Sequence, residues 1–201
     1  MLVPRTSRSA DGQARRPAAR EVHVWRVPLA DALREPARAA MRDILTRYTS
    51  APIELALHEK GKPYLPSAPE LRFNLSHSHG IALVAVALDV EVGVDVEKLR
   101  PLPEFAAIAE RFFPPNEPVP ADEVDFFRVW TRIEAVLKGR GVGLLGAGDD
   151  PDGDWTVLEI DAGDEYRAAV AVAAAGFTLK IFDYGENDED RRAGRPLPES
   201  R

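Results

Sequence analysis

The chain has 201 residues, 45% of them hydrophobic, and a formal net charge of −7. That apolar content suffices for one substantial globular unit or two small ones sharing a core, while the acidic balance argues against a nucleic-acid binder and requires any anionic ligand to find a local basic patch. With no cysteine, disulfides, thiolate metal sites and a cysteine nucleophile are excluded and a cytoplasmic location is expected; no apolar run approaches the roughly 20 residues that span a bilayer, so no membrane partner is expected.

Residues 1–20, MLVPRTSRSADGQARRPAAR, are arginine-rich without an apolar stretch, so they read as a flexible leader and not as a secretory signal. EVHVWRVPL alternates as a strand, and EPARAAMRDILTRYTS reads as a helix with Ala40, Ile44 and Leu45 among its apolar positions. PIELALHEKGKPYLPSAPE, broken by prolines and glycine, is a short strand plus loop. LRFNLSHSHG leads into IALVAVALDV, a continuous apolar run that fits a strand buried on both faces. The strand VGVDVEKLRP follows, then a short helix around EFAAIAERFF, a proline-broken linker PPNEPVPADE and a patterned helix in VDFFRVWTRIEAVLKGR. Beyond the glycine-rich GVGLLGAGDDPDGD, the segments WTVLEI, YRAAVAVAAA and FTLKIFDYG read as three antiparallel strands, and 186–201 as a disordered tail. This order predicts an α+β fold of two similar halves, 21–90 and 91–185, each a small, mostly antiparallel sheet packed with helices.

VGVDVEK carries the first chemical signal. Val92, Val94 and Val96 alternate with Gly93, Asp95 and Glu97, so the valines can face a core while both carboxylates share the other face. Two like charges that close raise each other's pKa unless a cation lies between them, and oxygen-seeking Mg²⁺ suits such a pair. An amphipathic strand with one wet face is the structural alternative. On the long helix, Phe126, Val129, Trp130, Ile133, Val136 and Leu137 fall on one apolar arc, with Arg128, Arg132 and Ala135 opposite. Glu134 and Lys138 flank that arc one turn apart, suited to a metal ligand or proton acceptor, or else to an ordinary i,i+4 surface pair. The hydroxyls and imidazoles of Ser76, His77, Ser78 and His79 suit a phosphate, as does Lys62 on the turn between Gly61 and Pro63, which can equally be a solvated lysine. Gly141, Gly143 and Gly146 match G-x-G-x-x-G, but the match follows a helix and is no dinucleotide fingerprint.

Taken in order, GKPYLP…LRFNLSHS, VGVDVEKLRP, ERFF and FFRVWTRIEAVLKGRGVGL resemble the 4′-phosphopantetheinyl transferases, specifically the pseudo-dimeric type that activates polyketide and nonribosomal peptide synthetases. The resemblance runs from about Val22 to Asp183. It implies transfer of the phosphopantetheine arm of coenzyme A to a serine of an apo acyl or peptidyl carrier protein, releasing adenosine 3′,5′-bisphosphate. It further implies Mg²⁺ held by Asp95, Glu97 and Glu134, with Glu134 and Lys138 as catalytic residues and Glu134 as the base. Lys138, Lys62, Ser76 and His77 become coenzyme A contacts, and the enzyme is expected to be monomeric. Three features depart from the family pattern. Ile133 stands where the family reads lysine, a basic helical segment before the first helix is missing, and the linker 114–123 is short. Arg34, Arg38 and Arg42 are the candidate replacements for the missing basic residues. A weakened relative that only binds coenzyme A or a carrier protein, and an unrelated Mg²⁺-dependent phosphoesterase, are the competing readings.

Overall fold

The computed structural model describes residues 16–30, 34–115, 117–142 and 155–185. The expected tail, most of the leader and nearly all of the glycine-rich loop lie outside these. β1 (Glu21–Pro28), β4 (Leu71–Ser78), β5 (Ile81–Leu88) and β9 (Thr178–Asp183) form one sheet in the order β4-β5-β1-β9. β6 (Val92–Lys98), β8 (Tyr166–Val172) and β7 (Thr156–Glu159) form a second, in the order β6-β8-β7, and β2 (Ala56–Leu57) and β3 (Pro63–Tyr64) make a small hairpin. The helices are α1 (Arg34–Leu45), α2 (Phe105–Phe112) and α3 (Glu123–Arg140). The α+β class is the one expected.

Period-2 patterning builds the centre of the molecule. On β5, Leu83, Ala85 and Ala87 face one core while Ala82, Val84 and Val86 face another, so the strand is buried on both sides. Val22 and Val24 of β1 join the first set and meet Val92, Val94 and Val96 of β6 with Val170 and Val172 of β8, so the two sheets pack face to face. α1 covers the outer face of the four-stranded sheet with Ala37, Met41, Ile44 and Leu45. α3 covers the outer face of the three-stranded sheet, where Ala135 meets Ala169 and Ala171. The result is a helix–sheet–sheet–helix stack.

One expectation is corrected. The last three strands do not form a single antiparallel set: β7 and β8 pair antiparallel, but β9 crosses to the other sheet and runs parallel to β1. Side chains explain this destination. Leu179 is buried with Val22 and Val24, Phe182 stacks on Trp25 at 4.8 Å, and Arg26 grips Asp183 through two bonds of 2.7 and 2.8 Å. The end of the expected leader also joins the fold, since Arg16 donates to the Tyr48 carbonyl at 3.0 Å and to Glu70 at 2.7 Å.

A buried relay crosses the helical core. Trp25 Nε1 donates to the Tyr48 hydroxyl at 2.6 Å, and that hydroxyl lies 3.1 Å from His23 Nδ1, whose Nε2 faces Glu21 at 3.4 Å. Every group is satisfied with a neutral imidazole that accepts the tyrosine proton at Nδ1. Burial pushes the His23 pKa down, with Glu21 opposing and Lys180 assisting. The unfolded imidazole titrates near 6.5, so stability is complete above that pH and falls as pH drops through it, because the unfolded chain takes up the proton first. His77 contributes in the same direction. Urea midpoints at pH 7.5 and 5.5 should therefore diverge in the parent and diverge less in His23→Gln; equal divergence refutes the assignment.

Candidate active site

β4 and β6 are edge strands of different sheets, and side chains join them. Val94 N donates to Asn74 Oδ1 at 3.0 Å, Val96 N to Ser76 Oγ at 3.3 Å and Lys98 N to Ser78 Oγ at 3.1 Å. Asn74, Ser76 and Ser78 thus supply, two residues apart, the acceptors a neighbouring strand would have offered. The arrangement was visible only as an Asn-x-Ser-x-Ser alternation beside VGVDVEK. Asn74 is not among the residues expected at the site, and Ser78, expected to suit a phosphate, instead accepts from the β6 backbone.

On the outer face of the three-stranded sheet, α3 approaches β6 with no side chain between them at Gly93. A Cβ on Gly93 would sit 2.0 Å from the Ala135 carbonyl oxygen and 2.3 Å from Gly139 N. The buried stripe of α3 runs Phe127, Thr131, Ala135, Gly139, at i,i+4 spacing. This corrects the expected arc: Ala135 is fully buried instead of opposite the core, and Ile133 is only half-buried. Asp122 caps the helix start by accepting from Asp125 N at 2.8 Å, and Gly141, at φ 69°, ends it in the left-handed region that glycine favours.

The close approach delivers Lys138 to Asp95. Asp95 is 3% exposed, and its Oδ1 accepts from Ser76 Oγ at 2.8 Å and from Lys138 Nζ at 2.5 Å. Lys138 Nζ also donates to Ser76 Oγ at 2.9 Å, so that hydroxyl uses its one proton and both acceptor positions. Asp95 Oδ2 is buried with no hydrogen-bond partner among the described residues. Glu97 shares the face and accepts from Arg100 at 2.8 Å. Glu134 is half-buried and, among the described residues, has neither hydrogen bond nor ion pair. Burial, then the charge of Asp95 and, less, of Glu97, raises its pKa, with Lys138 opposing.

The predicted residues therefore converge unequally. Ser76, Asp95 and Lys138 touch one another, and Glu97 and Glu134 stand within electrostatic reach. Among the described residues no three acids or histidines close on one point as the side chains lie. The donor chemistry nonetheless fits a hard cation: an all-carboxylate set, a buried oxygen lacking a partner, and a glutamate held against two like charges. His77 is half-buried on β4, and burial followed by the positive charges of Arg34, Lys138 and Arg38 pushes its pKa down. Arg34 and Arg38 are exposed one turn apart on α1, and among the described residues neither pairs with an acid; Arg42 instead lies 3.9 Å from Glu35. Lys62 stands apart, its ammonium bound to Glu91, the Val92 carbonyl and the Gly139 carbonyl.

The two-sheet α+β frame sets Lys138 on Asp95 and brings the charges of Arg34, Lys138 and Arg38 to bear on His77. Residues 91–184 match the 4′-phosphopantetheinyl transferase superfamily. The chain is 30% identical over 219 residues to the 4′-phosphopantetheinyl transferase HetI of Nostoc sp., covering 82% of this chain and 92% of that protein. It is 33% identical over 151 residues to a Bacillus subtilis 4′-phosphopantetheinyl transferase, covering 63% and 66%. With psf-1 of Bacillus pumilus, a 4′-phosphopantetheinyl transferase, it is 36% identical over 114 residues, covering 52% and 48%. The chain belongs to the 4′-phosphopantetheinyl transferase superfamily, and is an enzyme of the transferase class. No helix among the described residues is long and apolar enough to cross a membrane.

Proposed function

We propose that the enzyme transfers the 4′-phosphopantetheine arm of coenzyme A to a serine of an apo acyl or peptidyl carrier protein in a Mg²⁺-dependent reaction. The observation that carries this is the Ser76–Asp95–Lys138 constellation with Glu134 beside it, within a chain of this family. Asp95, Glu97 and Glu134 are the residues that would hold Mg²⁺, which supplies charge neutralisation and polarisation of a phosphoryl oxygen. Lys138 and His77, with Arg34 and Arg38 behind them, bind and orient phosphate charge. The carrier serine attacks the phosphorus that bears the pantetheine arm, the bond to the other phosphate breaks, and adenosine 3′,5′-bisphosphate leaves. Glu134 accepts the serine proton. A monomeric enzyme organised as a pseudo-dimer and working in the cytoplasm fits this reading. Mass spectrometry of apo carrier proteins incubated with the enzyme, coenzyme A and Mg²⁺ should show a phosphopantetheine-sized gain on serine. No gain on any carrier overturns transfer. Coenzyme A binding without a gain favours the weakened relative, for which Ile133 in place of the family lysine is the specific observation.

Coenzyme A carries one phosphate beyond its pyrophosphate, on the ribose 3′ position. Arg34 and Arg38, which pair with no acid among the described residues and whose charges act on His77, would receive it in a chain that is otherwise acidic. Calorimetry should show the parent favouring coenzyme A over dephospho-coenzyme A by on the order of tenfold or more, since a charge-assisted bond contributes roughly 1.5–3 kcal/mol. In Arg34→Ala/Arg38→Ala that preference should collapse while dephospho-coenzyme A binds as before. An unchanged preference removes both arginines from the site.

A further inference from the structure

We propose that Lys62 is a positioning residue that, with Glu91, clamps the last turn of α3 to the entry of β6, and that it does not contact the phosphates of coenzyme A. This rests on the reading above and reassigns one residue within it.

An ammonium has three protons to donate, and those of Lys62 are all engaged. Nζ donates to Glu91 Oε2 at 2.6 Å, to the Gly139 carbonyl at 2.6 Å and to the Val92 carbonyl at 3.2 Å. The side chain is 9% exposed, and the other Glu91 oxygen takes Arg72 Nε at 3.3 Å. A phosphate could reach this ammonium only by displacing one of these partners. The three bonds link the β2–β3 turn, the first residue of β6 and the C-terminal end of α3. The Gly139 carbonyl is among the last of the helix, which have no acceptor role within it, and a cation there is favourable. Gly141 closes the helix over the lysine stem, so near that a Cβ on it would lie 3.2 Å from Lys62 Cβ. The clamped turn includes Lys138, whose ammonium sits on Asp95, and Gly139, which abuts Gly93. Lys62 thus acts on the site through the helix end.

Glu91→Gln separates the two roles by sign. If Lys62 met a phosphate, removing the competing carboxylate would free its ammonium and tighten coenzyme A binding. As a clamp, Glu91→Gln should leave binding unchanged or weaker and lower kcat several-fold. Lys62→Met, which keeps the stem and lets Glu91 retain Arg72, should lower kcat at least tenfold. Its Kd for coenzyme A should rise less than threefold, with the salt dependence of that Kd as in the parent. In both variants amide hydrogen exchange at residues 138–142 should accelerate. Tighter binding in Glu91→Gln, or a flattened salt dependence in Lys62→Met, overturns the proposal. The exchange measurement needs no coenzyme A, so unchanged exchange overturns the clamp even if the transferase reading fails, and accelerated exchange in a protein that binds no coenzyme A points to the failure of that reading alone.

Discussion

Asp95→Asn should reduce phosphopantetheinyl transfer by about 10³-fold or more, equivalent to about 4 kcal/mol of lost transition-state stabilisation. The substitution keeps the volume of a side chain that is 3% exposed and removes only its charge. Two consequences follow from the contacts. Lys138 loses the carboxylate it holds at 2.5 Å, and, with the amide oxygen kept toward the Ser76 and Lys138 donors, the oxygen that has no hydrogen-bond partner among the described residues becomes an NH2 group, which cannot ligate a cation. Stability should change far less. The Lys138 side chain is 32% exposed and keeps its bond to Ser76, so its ammonium is partly rehydrated and the loss should be about 1 kcal/mol. Transfer rates with coenzyme A and Mg²⁺, set beside thermal melts by circular dichroism, measure both. A folded Asp95→Asn enzyme within tenfold of the parent would sink the assignment of Asp95 to the reaction centre.

Gly93→Ala should be the most damaging alanine substitution among the described glycines. Its Cβ would lie 2.0 Å from the Ala135 carbonyl oxygen and 2.3 Å from Gly139 N, and both obstacles are backbone. No side chain can turn aside, so α3 must retreat by about an ångström from β6. Overpacking of this kind costs about 3 kcal/mol or more. The retreat also separates Glu134 and Lys138 from Asp95, and a displacement of that size costs on the order of 10²-fold in rate. Gly80→Ala is the control: its Cβ would meet only the Tyr166 hydroxyl at 3.5 Å and the Leu29 carbonyl at 3.7 Å, so stability should hold. Urea unfolding of both variants, with transfer assays on the folded fraction, gives the comparison. Parent-like stability and rate in Gly93→Ala would show that the helix is not held where the structure places it.

The alternation in VGVDVEK determined by itself that three valines enter a core while Asp95 and Glu97 share the other face, because a strand's two-residue period leaves no other choice. The unbroken apolar run of β5 likewise required two cores, one on each side. The order of the short motifs was enough for the family. The buried face of α3 was legible only in part: Phe126, Val129 and Leu137 of the expected arc are buried, but the seam against β6 was not foreseen. A hydrophobic arc ranks residues by polarity and so placed Ile133 inside and Ala135 outside, whereas contact with the backbone of β6 selects by size and buries Thr131, Ala135 and Gly139. The destination of β9 depended on partners more than 150 residues away, among them Arg26 for Asp183. Lys62 shows the same division. Its type and turn suited an anion, but whether an ammonium meets a phosphate or a helix end depends on which groups the fold brings within 3 Å of it, and those came from Glu91 and Gly139.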